Sequence, residues 1–258
     1  MSAYLRPLSL AAALFIASTS PGAEPSDWKL ALADPGTSAW ETRWFLDGDL
    51  AGVKNTPEGI VLTSGPVEAK DAGHAVLWTK ASFKGDLKIE YDFTRLDNNR
   101  DHTSVCILYF QATGVGTPKY PVDIFSWRDL RKVPTMSLYF THMNAYHISY
   151  ACTGGPDNDY VRARRYPTKG HFQKDTLIEP SYERVNLFAT GETWHIAVEC
   201  IGRSLKMSAS SGSQVHTWTW DASTYPPLTE GRIGLRQMRG RESRYANLRV
   251  FTKVPSGN

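Results

Sequence analysis

The residues 144–150, NAYHISY, contain the clearest candidate for chemistry in this chain. Read with the period of two that a β-strand has, the aromatic and apolar residues fall on one face. His147 falls on the other face, between the small residues Ala145 and Ser149. The apolar face is predicted to join the core, which leaves His147 pointing outward with room for a ligand above it. The alternative is that a loop or a second sheet covers His147, and that it is structural.

A histidine and an arginine that both point away from the predicted core could carry out β-elimination on a uronic acid. That reaction needs a group that neutralises the carboxylate, a base that removes the adjacent proton, and an acid for the leaving oxygen. We predict His147 as the base and Arg236, in GRIGLRQM, as the carboxylate partner. Tyr150 is a predicted acid, although the period of two puts it on the inward face. Further predicted substrate contacts are Asn144, Arg162, Arg165, His74, Trp78, Gln237 and Tyr160, with His74 a second candidate base and Tyr160 a second candidate acid.

Two other functions remain open. Glycoside hydrolysis needs two carboxylates that face one sugar, and KIEYDF places Glu90 and Asp92 on one strand face. The third acid of the E-x-D-x-x-E pattern is missing, so these residues, like Glu199, fit a polar strand face better. A non-catalytic carbohydrate-binding module would use the same arginines and would stack sugars on exposed aromatic rings. Candidate rings are Trp127, Tyr146 and Trp218.

The charge distribution indicates an anionic partner. The formal net charge is only +3, but the stretch 119–174 carries nine Lys or Arg against four Asp, and the stretch 231–253 carries seven against one Glu. If these two basic segments meet in space, they attract an anion. A solvated basic surface is the plain alternative. A predicted export signal at the N-terminus favours an acidic polysaccharide over nucleic acid as that partner.

The N-terminus predicts export. Arg6 precedes the apolar run LSLAAALFIAS, which is too short to span a bilayer, and we place the cleavage after Ala23. Residues 1–23 are therefore a predicted signal peptide, and residues 24–258 a single domain that is periplasmic or secreted, without stable membrane insertion. Three cysteines leave at least one thiol unpaired, and Cys106 and Cys200 lie in apolar strands as small core residues.

Alternating patterns dominate the rest of the chain and predict an all-β, two-sheet sandwich. Ten segments have this pattern, among them SLYFTHMNAYHISYA, and Gly, Pro, Asn and Asp turns separate them. Two long irregular stretches, 114–135 and 153–192, are rich in Tyr, Phe, Trp and Arg and are predicted to form the rim of a groove. The Asp- and Asn-rich turns lack the spacing of a calcium loop. We predict no metal and no cofactor.

The chain also resembles a known family. The order of its last strands is similar to that of concanavalin-A-like jelly rolls, in which a curved sheet presents a concave face to carbohydrate. HAVLW, YDFT, CILYFQATG, NAYHISY, YVRARRYPTKGHF and GRIGLRQM occur in the order found in the YesU-like family of bacterial proteins, over roughly residues 74–250. The resemblance implies the jelly-roll fold with long loops around a concave face, and a role with acidic polysaccharide. It supplies no established reaction, and the segment TPKYPVDIFSWRDLRK is this chain's own.

Overall fold

The computed structural model describes residues 27–100, 104–152 and 159–253, and the predicted signal peptide lies outside these ranges. Within them, sixteen strands form two antiparallel sheets. The strands are β1 Trp28–Asp34, β2 Trp44–Asp47, β3 Gly52–Thr56, β4 Gly59–Thr63, β5 Ala75–Thr79, β6 Phe83–Lys84, β7 Leu87–Arg95, β8 Cys106–Gly114, β9 Met143–Tyr150, β10 Tyr160–Tyr166, β11 Leu177–Glu183, β12 Thr193–Ile201, β13 Ser204–Ser211, β14 Gln214–Asp221, β15 Glu230–Gln237 and β16 Glu242–Lys253. The α-helices are α1 Met136–His142 and α2 Phe172–Asp175, and three 3-10 helices cover Trp40–Thr42, Val67–Gly73 and Ile124–Arg131.

Sheet I has the strand order β14-β13-β12-β7-β16-β4-β3, with β1 also paired to β16. Sheet II has the order β11-β10-β9-β8-β15-β5-β2, with β6 also paired to β15. Strands that are distant in sequence are therefore neighbours in both sheets, as in a jelly roll. The prediction of an all-β, two-sheet sandwich is confirmed.

The main core lies between the inner faces of the two sheets. Alternate residues of each strand point into it, as the period of two requires. Tyr91 and Phe93 of β7 meet Tyr150 of β9 there, and all three side chains are fully buried. Burying aromatic and aliphatic side chains removes apolar area from water at roughly 25 cal/mol per Å², which is the main stabilising term of such a sandwich. Cys106, Cys152 and Cys200 are all buried, which confirms the core position predicted for Cys106 and Cys200.

A second hydrophobic cluster covers the outer face of sheet II. Residues 115–142, which we call the cover segment, include the 3-10 helix Ile124–Arg131 and α1, and their apolar side chains pack on this face. Trp78 of the sheet stacks on Tyr109 and on Tyr139 of α1, with ring centroids 5.5 and 6.4 Å apart. The long stretch 114–135 thus packs down onto the sheet as a layer of its own.

One buried carboxylate holds the cover segment to the sheet. Asp47, at the end of β2 and 1% exposed, accepts hydrogen bonds from Arg131 Nε at 2.6 Å, Tyr139 Oη at 2.8 Å and Trp78 Nε1 at 2.7 Å. Burial raises the pKa of Asp47, and the charge and hydrogen bonds of Arg131 oppose that rise. Two of these donors belong to the cover segment and one to the sheet, so Asp47 joins the two layers.

Two local predictions differ from the structure. The alternation in SLYFTH predicted a strand, which was wrong, because these residues form α1 and the strand begins only at Met143. A short helix with one buried face can imitate alternation over six residues. The stretch 153–192, predicted to be irregular, contains β10, α2 and β11.

In the ranges that the structure describes, no helix is both long and apolar enough to cross a membrane.

Candidate functional site

His147 lies in the middle of sheet II, on its outer face. In the strand register it is opposite Tyr109 of β8 on one side and Arg164 of β10 on the other. Its ring nitrogens both have hydroxyl partners, with Nδ1 2.5 Å from Tyr166 Oη and Nε2 2.6 Å from Ser149 Oγ. The side chain is only 2% exposed, because the cover segment and α2 lie over most of this face.

A pocket of about 260 Å³ remains open between the sheet, α1 and α2, and His147 lies in its floor. One half of its lining is polar: His147, Ser149, Tyr160, Arg162, Arg164 and Gln173. The other half is apolar: Val105, Ile107, Met136, Phe140, Phe172 and Met238. Phe140 of α1 stacks on Phe172 of α2 at 4.5 Å between ring centroids, which fixes the wall opposite the strands. We call this the His147 pocket.

In the described part of the chain, two charged side chains line this pocket, and both are arginines. Arg164 is 4% exposed, and its bonds go to neutral groups: Gln173 Oε1 at 2.8 Å, Thr176 Oγ1 at 3.0 Å and the Gln173 carbonyl at 3.2 Å. No carboxylate in the described part of the chain pairs with it. A buried cation without a counter-ion is costly, so this site favours an anion.

Arg162, at the mouth of the pocket, is partly neutralised. Its Nη2 donates to Glu183 Oε1 at 2.8 Å and its Nε donates to Ser181 Oγ at 2.7 Å, while its guanidinium lies over the Tyr160 ring at 4.1 Å. Burial alone would raise the pKa of Glu183, but the bonds from Ser181 and Arg162 outweigh it and lower that pKa. Because Glu183 is half exposed, the pair is a surface ion pair that a bound anion can compete with.

The surroundings of His147 hold it in its neutral form. Burial is the largest cause that lowers its pKa well below 6.5, followed by the positive charges of Arg164, Arg236 and Arg162. Burial also raises the pKa of Tyr160 to about 12, so this phenol keeps its proton. The pocket therefore presents a neutral imidazole, a protonated phenol and two guanidinium groups.

Arg236 lies on the same face as His147 but is fully buried under the cover segment. Its Nη2 donates to His74 Nδ1 at 2.8 Å and to the Pro134 carbonyl at 2.7 Å, and it lies over the Tyr139 ring. Burial and the charge of Arg236 lower the pKa of His74 to about 3. Arg236 acts on the pocket through its charge, and neither it nor His74 lines the pocket.

The remaining predicted site residues are dispersed. Tyr150 lies in the main core, where its hydroxyl is 3.0 Å from that of Tyr91, and Gln237 lies beside Tyr245 at 3.5 Å on the same inner side. Arg165 also points to the inner side, over the Tyr146 ring. Trp78 is buried and donates a hydrogen bond to Asp47. Asn144 donates hydrogen bonds to the Thr113 hydroxyl and to the Gly114 carbonyl. The structure thus brings His147, Arg162 and Tyr160 together, and leaves these five outside the pocket.

Sequence reasoning missed Arg164, Ser149 and Tyr166. The signal for the arginine was present, because YVRARRY read as a strand puts Arg162 and Arg164 on one face and Arg165 on the other. These residues lie within 153–192, which is predicted from the sequence to be irregular, and the period of two applies only to a strand.

The candidate hydrolase carboxylates lie on the outer face of sheet I, away from the His147 pocket. Glu90 is held between Lys88 Nζ at 2.6 Å and Arg249 Nη2 at 2.8 Å, and Glu199 pairs with Lys206 at 3.6 Å. The candidate stacking rings, Trp127, Tyr146 and Trp218, are all buried and offer no free face to a sugar. In the described ranges no three His, Cys, Asp or Glu side chains form a group that could hold a metal ion. Asp157 and Asn158, in one of the oxygen-rich turns, lie outside these ranges.

Comparison with known proteins places the chain in a family. The family described as a domain of unknown function (DUF6250) matches residues 69–245, which is more than half of the chain. The chain belongs to the DUF6250 family. A similar protein is the uncharacterized protein YesU of Bacillus subtilis (strain 168), 24% identical over 196 residues that cover 72% of this chain and 80% of YesU. The YesU-like resemblance is therefore confirmed.

Solved structures show the fold of this DUF6250 member. A Bacillus subtilis protein of unknown function with a galectin-like fold matches with a TM-score of 0.64 at 19% identity, over 88% of this chain and 100% of that one. Lectin II from Ulex europaeus matches with a TM-score of 0.55 at 12% identity, over 87% and 99%. The concanavalin-A-like jelly-roll fold predicted for the chain is thus confirmed.

Proposed function

We propose that this protein binds an acidic carbohydrate in the His147 pocket and acts on it as a polysaccharide lyase. The observation that carries the proposal is the pocket lining, in which the charged groups are Arg162 and Arg164 and the base candidate is a neutral histidine. Lectins share the fold, which supports carbohydrate as the ligand class by analogy only. The two arginines favour a ligand that carries a carboxylate, and a uronic acid carries one.

The proposed reaction is β-elimination. His147 removes the proton next to the uronate carboxylate, the bond between the ring carbon and the glycosidic oxygen breaks, and a carbon–carbon double bond forms. Arg162 and Arg164 stabilise the negative charge that develops on the carboxylate. Tyr160 gives its proton to the leaving oxygen, so the proton that His147 gains is balanced by the one that Tyr160 loses. We choose Tyr160 as the acid because it lines the pocket and Tyr150 does not.

The charge of the substrate changes the pKa of His147, the proposed base. Three arginines disfavour a protonated His147, and a bound carboxylate offsets part of their charge. Substrate binding therefore raises the pKa of His147 and makes it a better proton acceptor than it is in the free protein.

A binding module without catalysis is the second candidate. Both ring nitrogens of His147 already have hydroxyl partners, and the ring is almost fully buried. Before Nε2 can accept a substrate proton, its contact with the Ser149 hydroxyl has to open. If that contact stays closed, the pocket binds and does not cleave.

One set of assays separates the possibilities. The mature chain is mixed with oligogalacturonides, rhamnogalacturonan and glycosaminoglycans, while ultraviolet absorbance, reducing ends and heat of binding are followed. A rise in absorbance that His147→Gln abolishes, with binding kept, supports the lyase. Binding without any product supports the module, and reducing ends without absorbance support a hydrolase.

The arginines give a quantitative test of the same pocket. A charge-assisted hydrogen bond contributes about 1.5–3 kcal/mol, so Arg162→Gln should weaken binding of the acidic oligosaccharide roughly ten- to hundredfold. Lys206→Gln, which removes a positive charge from the ion pair with Glu199 on the other sheet, is the matched control and should leave binding unchanged. Equal binding by wild type and Arg162→Gln would refute the assignment of this pocket.

A further inference from the structure

A second pocket, of about 400 Å³, opens on the outer face of sheet I. It lies where β16 changes neighbours, because residues 242–245 pair with β4 and residues 248–253 pair with β1. At this point the register between β16 and β7 shifts between Ala246 and Arg249, and Asn247 has a φ of +53°. Bulges and left-handed residues other than glycine concentrate at functional sites.

Three polar side chains are fixed at the mouth of this pocket. One oxygen of the Asp92 carboxylate accepts a hydrogen bond from Asn247 Nδ2 at 2.7 Å, and the other oxygen lies 2.9 Å from His195 Nδ1. Each carboxylate oxygen has a second lone pair, so Asp92 can accept two more hydrogen bonds. The side chains of Asp92 and His195 are 30% and 41% exposed, which leaves them accessible to a ligand.

Arg249, the cationic side chain in the described lining of this pocket, already has a counter-ion, in contrast to Arg164 in the His147 pocket. Arg249 donates to Glu90 at 2.8 Å. The buried carboxylate of Asp34 accepts from Trp44 Nε1 at 2.6 Å and from the Gly36 backbone at 2.9 Å. An anion would meet no free cation in the described lining. A neutral group that both donates and accepts hydrogen bonds fits better, since it can donate to Asp92 and accept from the second N–H of Asn247 Nδ2.

We propose that this pocket is a second binding site, and that its ligand is a neutral saccharide. Two neighbouring hydroxyl groups of the sugar donate to the two oxygens of Asp92. Asn247 and His195 hold the carboxylate in place and offer Asn247 Oδ1 and His195 Nε2 to further hydroxyls. The exposed apolar side chains of Ala33 and Pro35 contact the C–H face of the ring. The site does not depend on the function proposed for the His147 pocket.

The test uses methyl glycosides of glucose, galactose, mannose and xylose as probes, with the mature chain and saturation-transfer NMR. Asn247→Gly is the decisive variant, because glycine adopts a φ of +53° without strain and the fold should be kept. It should weaken binding of the preferred glycoside at least tenfold, as should Asp92→Asn. Asn186→Gly, at a φ of +54° in an exposed loop, is the matched control and should bind as wild type does.

The outcomes are separable from those of the first pocket. Binding that is lost in Asn247→Gly and retained in His147→Gln and Asn186→Gly establishes the second site. No binding of any of the four glycosides at millimolar concentration, or binding that survives both Asn247→Gly and Asp92→Asn, overturns the proposal.

Discussion

Removing the carboxylate of Asp47 should detach the cover segment from sheet II. Asp47→Ala leaves Arg131, which is fully buried, without its ion-pair partner. Breaking a buried pair on one side costs about 3–5 kcal/mol. The Trp78 indole and the Tyr139 hydroxyl also lose their acceptor, at about 1–3 kcal/mol each. These losses are not additive within one network, so we expect a total near 5 kcal/mol, which approaches the whole stability of many domains.

The assay is urea unfolding followed by tryptophan fluorescence, together with limited trypsin digestion. Trypsin should cut Asp47→Ala after Arg128 or Lys132 much faster than it cuts wild type. Asp49→Ala is the matched control, because Asp49 pairs with Lys132 at 3.3 Å with both side chains exposed. A surface pair of this kind contributes about 1 kcal/mol or less.

A double variant isolates the charge pair. Replacing both partners, as in Asp47→Leu with Arg131→Met, removes the unpaired charge and should cost several kcal/mol less than Asp47→Ala alone. If Asp47→Ala costs no more than Asp49→Ala, the reasoning is refuted. It is also refuted if the double variant is as unstable as the single one.

Two further predictions concern titration and thiol chemistry. The pKa values of His147 and His74 are lowered on folding, so the unfolded chain takes up protons first, and stability falls as the pH drops below about 6.5. Both histidines should therefore lower the free energy of unfolding between pH 7.5 and 5.5, by roughly 1 kcal/mol each. His147→Gln should lose less stability than wild type over this range in urea titrations, and equal losses would contradict the assignment. Burial raises the pKa of Cys106 to about 11 and that of Cys200 to about 12, so neither thiol should react with a disulfide reagent until urea unfolds the protein. Fast labelling of either thiol in the folded protein would contradict the buried positions.

The cover segment changes what the fold can do. The sequence predicts that His147 faces outward with room for a ligand, in a groove whose rim the two long irregular stretches form. In the described residues, aromatic side chains fill most of the outer face of sheet II and leave open the His147 pocket of about 260 Å³. A pocket of this size, closed by α1 and α2, is suited to a short segment of a polymeric ligand, whereas a long open groove would hold an extended one.

Much of the architecture was predictable from the sequence. Alternation with a period of two identified the strands, since each face of a strand meets one environment, and it assigned Tyr146 and Ile148 to the core and His147 to the other face. These are local properties of the chain, and neighbouring residues along one strand determine them.

The composition of the site was decided only by the tertiary structure. Arg164 faces His147 because β10 pairs with β9 in one particular register, and a shift of one residue would have put Arg165 there instead. Whether Arg236 reaches a substrate depends on the cover segment, whose position follows from the contacts of Asp47 with Arg131 and Tyr139 across more than 80 residues. The second pocket exists because β1 and β4 share β16 as a neighbour. Contacts between segments that are distant in sequence set all three features, and no local pattern records such contacts.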